Sequence, residues 1–270
     1  MSDAAALPGQ PRGLVVSGPA TARAVNVLAP NPSAMTLDGT NTWLLAEPGS
    51  DQVVVVDPGP LHEPHLTAVV DHVHGSGRRI ALTLLTHGHL DHAESAERFH
   101  ELTGAPVRGF GRGHDDVREG EVITVAGLEI LAVPTPGHTS DSFSFVLPAD
   151  NTLLTGDTVL GRGTSVVAWP DGNLEAYLES LSRIESLTAA GSVTSLLPGH
   201  GPTVDDAAAT VTFYLQHRAE RLDQVRDAVA RGARTAHDVV ETVYADVPHS
   251  VWPAAEQSVQ AQLEYLRTHS

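Results

Sequence analysis

The sequence predicts an α/β fold followed by a helical tail, and three observations carry that prediction. From about Val15 to His200, apolar runs of strand length mix with runs whose apolar residues recur at helical spacing. Several of the strand-like runs end on a Gly followed by His or Asp, so the chain must turn sharply at strand ends. After Pro202 only helical patterns remain. We divide the chain accordingly into residues 1–205, holding the chemistry, and residues 206–270, a small helical unit.

Thr42-Trp43-Leu44-Leu45 and Val53 to Asp57 read as strands. Leu66, Val69, Val70 and Val73 then form the apolar stripe of a helix surrounded by His62, His65, His72 and His74, histidines expected to face solvent or to cap. Further strands are predicted at Ile80 to Thr86, Val122 to Val125, Leu128 to Val133 and Phe143 to Leu147. Apolar runs also close on Asp157 (Thr152-Leu153-Leu154-Thr155-Gly156-Asp157) and on His200 (Val193-Thr194-Ser195-Leu196-Leu197-Pro198-Gly199-His200). Between them Leu174, Tyr177, Leu178, Leu181, Ile184 and Leu187 repeat at helical spacing. In the tail, Asp206 to Ala230 reads as one long helix stopped at Gly232. A second helix begins near Thr235, with the capping pattern Thr235-x-x-Asp238, and ends before Pro248. Pro253 opens a third, with Val259, Leu263 and Leu266 on one face.

The densest group of metal-ligand types is His87-Gly88-His89-Leu90-Asp91-His92, directly after a predicted strand. Imidazole and carboxylate together suit Zn²⁺ and its first-row neighbours. On a helix, residues two apart point about 200° away from each other, so His87 and His89 can share an ion only from a turning or extended segment. His138, in Pro136-Gly137-His138-Thr139, joins Asp157 and His200 as a residue that follows a Gly at the end of an apolar run. Strands that each deliver a ligand at one edge make a metal-binding rim. His100, His114, His217, His237, His249 and His269 have no ligand-like neighbours in sequence.

In these motifs, taken in order, the chain resembles the metallo-β-lactamase-fold hydrolases. The resemblance implies a four-layer αββα sandwich. It also implies that His87, His89 and His138 hold one metal, that Asp91, His92 and His200 hold a second, and that Asp157 bridges them. Asp57 matches the family's first motif, a carboxylate that orients the ligand loop. Two further features resemble a narrower set, the β-lactamase-like-protein-2 group. One is Gly39-Thr40-Asn41-Thr42 before Trp43; the other is the three C-terminal helices, similar to the helical half of a winged helix. No β-wing is evident before Ser270.

The expected cofactor is two Zn²⁺ per chain, roughly 3.5–4 Å apart, sharing a hydroxide that attacks a carbonyl or phosphoryl group. Asp91 is the expected catalytic residue, a ligand that also orients the hydroxide and passes its proton on. Thr139, Ser140 and Thr158, next to ligands in sequence, are candidates to support them or to touch substrate, and Trp169 is a candidate pocket wall. The chain has no Cys, so the thiolate ligand of the commonest zinc β-lactamases is missing, and His89 stands where flavin-linked di-iron reductases carry Glu. A mono-iron persulfide dioxygenase keeps a similar His-x-His-x-Asp-His and is an alternative. A non-enzymatic scaffold or DNA-binding regulator is a third, opposed by the complete ligand set.

Composition bears on the substrate. The formal charge is −17, from 16 Arg and no Lys against 33 Asp plus Glu, and it divides as −15 before residue 215 and −2 after it. Such a surface repels polyanions, and RNA binding draws most of its affinity from cationic contacts to phosphate. The β-lactamase-like-protein-2 group contains a single-stranded-RNA endoribonuclease and thioesterases acting on carrier-bound acyl chains. Charge favours the small or carrier-bound acyl ester or thioester over RNA. The helical tail is expected to cover the mouth of the site, its third helix carrying only Arg267 as a cation. No run approaches the ~20 apolar residues of a membrane span, and Met1 to Gly18 lacks the basic start and apolar core of a signal peptide. The expected compartment is the cytoplasm.

Overall fold

The computed structural model describes residues 15–111 and 115–269. His114 and the first 14 residues of the N-terminal segment lie outside the described residues. The elements run β1 (Val15–Pro19), β2 (Ala24–Leu28), β3 (Asn41–Leu45), β4 (Gln52–Val56), α1 (Glu63–Gly75), β5 (Arg79–Leu84), α2 (Leu90–Ala93) and α3 (Ala96–Thr103). They continue with β6 (Val107–Gly109), β7 (Asp115–Asp116), β8 (Val122–Val125), β9 (Leu128–Pro134), β10 (Phe143–Leu147), β11 (Thr152–Gly156), α4 (Leu174–Ala189) and β12 (Ser195–Pro198). The tail is α5 (Ala207–Ala230), α6 (Ala236–Val243) and α7 (Trp252–Thr268).

Two sheets form. One carries β1 to β7 in sequence order, and the other runs β12-β11-β10-β9-β8. The four valines of β4 show how the layers arise, because successive side chains of a strand point to opposite faces. Val54 and Val56 face the second sheet, in a core with Trp43, Leu84, Ile130, Phe145 and Leu154. Val53 and Val55 face outward, onto Leu66, Val69 and Val73 of α1 and Phe99 of α3. The far face of the second sheet is covered in the same way, by Tyr177, Leu181 and Ile184 of α4 and Val211 and Tyr214 of α5. The result is the four-layer αββα arrangement.

The long helix α5 is common to two cores. Its first half packs on the second sheet, while Val225 and Ala228 pack with Val239, Val240, Val259 and Leu263 of α6 and α7. The Thr235–Asp238 capping box is present in both directions. Among the described residues no strand follows β12, and no helix is long and apolar enough to cross a membrane.

One expectation about the histidines is corrected. His62 caps α1, its Nδ1 accepting from the His65 backbone N–H, but His65 itself is only 2 % exposed and neither faces solvent nor caps. It shares the buried face of α1 with Ala68 and Val69, three and four residues on. Its Nε2 lies 2.9 Å from Thr42 Oγ1, which in turn donates to the Asp57 carbonyl at 2.8 Å.

Candidate metal centre

The seven sequence-predicted ligands converge where β5, β9, β11 and β12 end. They form two groups, His87, His89, His138 and Asp157, and Asp91, His92 and His200, the chosen ligand atoms of each lying within 4.8 Å of one another. Glycine is required at two of the turns that bring them there. A Cβ on Gly137 (φ +130°) would sit 2.3 Å from the backbone of Tyr177. One on Gly199 would sit 2.6 Å from Asp157 Oδ1 and 2.7 Å from His92 Cε1, inside the site itself.

Hydrogen bonds behind the rings fix their tautomers. Thr86 Oγ1 donates to Asp57 Oδ2 at 2.6 Å, so it accepts from His87 Nδ1 at 3.0 Å. His138 Nδ1 donates to the Val166 carbonyl (2.6 Å) and His200 Nδ1 to the Gly39 carbonyl (3.1 Å). His92 Nδ1 donates to Asp57 Oδ2 at 2.9 Å, and the other Asp57 oxygen accepts from the Thr86 backbone N–H. Asp57 therefore holds both the His87 and the His92 side chains from behind. In the neutral rings the Nε2 atoms of His87, His92, His138 and His200 present bare lone pairs.

Those lone pairs face one another. His87 Nε2 and His138 Nε2 lie 3.2 and 3.0 Å from His89 Nδ1, and His92 Nε2 lies 3.2 Å from His200 Nε2. One proton cannot serve all of these contacts, and a cation can. Asp157 stands between the groups, with Oδ2 3.4 Å from His200 Nε2 and 3.7 Å from His138 Nε2, and Oδ1 3.4 Å from His92 Nε2. Its Oδ1 is buried and accepts no hydrogen bond. Asp91 Oδ2 lies 3.1 Å from His200 Nε2. Buried nitrogen lone pairs and an orphaned carboxylate oxygen are the donor set of a divalent transition metal.

Electrostatics agree with this. Burial, with the neighbouring His92, holds His87 well below the ordinary imidazole range, and burial likewise lowers His89 and His138. Burial opposes charge on His92 and His200 too, but Asp157 together with Asp57 at His92, and with Asp91 at His200, outweighs it, so His92 stands well above its ordinary range and His200 is pushed up to about 9. Burial also works against ionised Asp157, yet His200 and His92 hold it well below the carboxylate range. The site is a concentration of negative charge that draws in protons where no cation neutralises it.

The hydroxyl candidates act on the loops. Thr139 Oγ1 pairs with Ser142 Oγ at 2.7 Å, closing the turn after His138. Thr158 Oγ1 donates to Thr135 Oγ1 at 3.1 Å, and the Thr158 carbonyl accepts from Tyr177 Oη, which ties the Asp157 loop to the His138 loop. Ser140 donates to Asp171. Trp169 is 42 % exposed, and the lining of the cavity beside the ligands comes from other residues.

That cavity, about 390 Å³, opens from His138 and Asp157. Met35, Leu37 and Leu160 line one part of it, and Val247, Val251 and Ala255 of the helical tail line another. Sequence reading passed over three residues that also line it, His217, Arg218 and Arg221 of α5. The available signal was the helical stripe Val211, Tyr214, Arg218, Val225, in which an arginine occupies an inward position. The tail also braces the ligand loops. Tyr214 Oη accepts from Leu160 N, Arg218 donates to the Ser165 carbonyl, and Ser258 Oγ of α7 accepts from Val167 N, on either side of the Val166 carbonyl that orients His138.

The profile of the metallo-beta-lactamase superfamily matches residues 35–115 and 110–200. The chain belongs to that superfamily. A second profile, the beta-lactamase associated winged helix domain, matches residues 235–269, the α6 and α7 region. A beta-lactamase-like protein 2 homolog of Caenorhabditis elegans is 31% identical over 252 residues, covering 89% of this chain and 82% of its own. An atrochrysone carboxyl ACP thioesterase of Aspergillus fumigatus is 32% identical over 250 residues, covering 85% and 76%. Among solved structures, a superfamily member from Thermus thermophilus superposes with a TM-score of 0.77 at 21% identity, covering 91% of this chain and 93% of the other. The chain is thus a metal-dependent hydrolase of the metallo-beta-lactamase superfamily, with a His and Asp cluster suited to divalent metal.

Proposed function

We propose that the chain is a binuclear zinc hydrolase of thioesters or esters of small or carrier-bound acyl groups. The observation that carries the reading is the cavity, whose mostly apolar wall begins at His138 and Asp157 and so suits an acyl chain laid beside the ligands. A relative named as an ACP thioesterase supports it. His87, His89 and His138 would hold one ion, Asp91, His92 and His200 the other, and Asp157 would touch both. Two zinc ions, when bound, supply an activated water and a polarised carbonyl.

The chain's own residues do the rest. Asp57, Thr86 and the Val166 and Gly39 carbonyls keep the imidazoles in the ligating tautomer. The Asp91 side chain is 28 % exposed against 11 % for Asp157, so it is the site carboxylate more open to solvent. In this reading Asp91 accepts the proton of the attacking water and returns it to the leaving sulfur or oxygen. The C–S or C–O bond breaks, and a carboxylic acid and a thiol or alcohol depart. The apolar wall limits the water around the acyl carbon.

The RNA-cleaving alternative needs cationic contacts along a phosphate chain, and the net charge of −17 works against it. The mono-iron dioxygenase needs only one ligand group, which leaves Asp91, His92 and His200 without an ion to hold. The test is kcat/KM of zinc-loaded chain on a butyryl thioester of N-acetylcysteamine and on single-stranded RNA. The thioester should be the better substrate; a higher value for RNA overturns the reading.

A further inference from the structure

Arg218 and Arg221 line the same cavity as His138 and Asp157, and all their acceptors are uncharged. Arg218, only 4 % exposed, donates to the Ser165 carbonyl and stands 4.9 Å over the Tyr177 ring, and its Nε is buried with no hydrogen-bond partner. Arg221 lies 4.6 Å over the Tyr244 ring and donates to Gln224 Oε1 (2.9 Å) and the Val243 carbonyl (3.2 Å). Arg162, which also lines the cavity, holds Asp38 at 2.6 Å, and elsewhere Arg23, Arg98 and Arg108 each hold a carboxylate at 2.6–2.8 Å. The pair is unmatched in a chain with twice as many acids as bases (33 against 16). His217 beside them is pushed down to about 4 by burial and by the two guanidinium groups, so it brings no countercharge and no added cation at neutral pH.

A buried guanidinium (Arg218) beside a half-buried one (Arg221), with no anion between them, is costly, and one oxyanion held in their forks offsets much of that cost. Each guanidinium carbon lies over an aromatic ring, which closes that side to a ligand. The lining therefore has three chemistries, metal ligands at one part, an apolar stretch of Met35, Leu37, Val247 and Val251, and this cationic corner.

We propose that the corner formed by Arg218 and Arg221 is an oxyanion subsite, so that the substrate carries a carboxylate or phosphate remote from its scissile bond. The oxyanion is either the terminal carboxylate of the acyl chain or the phosphate of a phosphopantetheine arm. Only the identity of the scissile bond rests on the thioesterase reading; the subsite does not.

Calorimetric titration of the zinc-loaded full chain with glutarate and, separately, with 4′-phosphopantetheine tests the subsite without turnover. At least one should bind, and Arg221→Gln should weaken that binding at least about tenfold, as loss of a charge-assisted fork does. Arg221→Lys, which keeps the charge but not the fork, should fall between, and serves alone should the Gln variant fail to fold. Weakening for glutarate identifies the acyl carboxylate, and weakening for phosphopantetheine identifies the arm. Binding of neither, or binding that both variants leave intact and which therefore belongs to the zinc ions, overturns the proposal. Where thioester turnover is measurable, the ratio of kcat/KM for glutaryl over butyryl N-acetylcysteamine should drop with the same variants if the acyl carboxylate is the ligand. A chain that binds the anion but hydrolyses no thioester would keep the subsite and lose the thioesterase reading.

Discussion

Asp57 adopts a left-handed backbone conformation (φ +53°) at the end of β4, where a residue with a Cβ is strained. The strain is held by Thr42, which donates to its carbonyl, and by Thr86, which donates twice to its carboxylate. That geometry lets one carboxylate fix the tautomers of His87 and His92. Asp57→Ala should therefore weaken zinc affinity by ~10–100-fold, as loss of a group behind a ligand does, measured by chelator competition. Unchanged affinity would show that the rings are oriented without it. Beneath Asp57, His65 is pushed down to about 4, by burial first and by His62 second. Its folded value lies below its unfolded value near 6.5, so between those pH values the unfolded chain binds the extra proton. Stability is fully present above about pH 6.5 and declines as pH falls towards 4. At pH 5 the loss from this residue is about 2 kcal/mol. Urea unfolding at pH 7 and pH 5 should show a smaller drop for His65→Gln than for the unaltered chain, and equal drops would contradict this. Nothing in the sequence marked His65 as buried, because the partner that removes it from water, Thr42, is 23 residues away.

At the scale of elements, the strand ends decide the site. Gly137→Ala would force a Cβ to within 2.3 Å of the Tyr177 backbone at φ +130°, so either α4 or the His138 turn must move. The backbone conformation alone costs roughly 1–3 kcal/mol. The expected outcome is a lower melting temperature together with reduced zinc content, and full zinc occupancy with an unchanged melting temperature would contradict it. These turns were legible because each combines an apolar run, a glycine and a ligand within a few residues. The strands β3, β4, β5, β9 and β10 and the helix α4 were legible for a related reason, since each holds enough residues to display its period. By contrast β6 has three residues and β7 has two exposed aspartates, so β6 takes its place in the sheet by pairing with β5, and β7 by pairing with β6, and not from any local pattern. The role of Arg218 was hidden in the same way. The stripe Val211, Tyr214, Arg218, Val225 places it inward, but only the meeting of α5 with the loop carrying Ser165 supplies the carbonyl to which it donates.

For the whole molecule, the −17 charge sets long-range behaviour while the site sets chemistry. Like-charge repulsion hinders approach of a polyphosphate chain and hardly affects a neutral acyl thioester. Moderate salt screens that repulsion, so any RNA cleavage should speed up on raising ionic strength from about 0.01 to about 0.15 M, with thioester turnover nearly flat. RNA cleavage that is fast at low salt and slows as salt rises would reveal a cationic track for phosphate. The fold and the seven candidate ligands could be read from motifs because they are written in short segments. The cavity could not, since it is assembled from Met35, the loop after Asp157, helices α5 and α7 and the segment between α6 and α7, which meet only in the folded chain. The account stands on two metal ions held by those seven residues, with Asp157 between them. Elemental analysis of the purified chain and of Asp157→Ala tests it most directly. The unaltered chain should hold two zinc ions per chain and the variant should lose metal; one iron and no zinc, or a variant that keeps both ions, would contradict it.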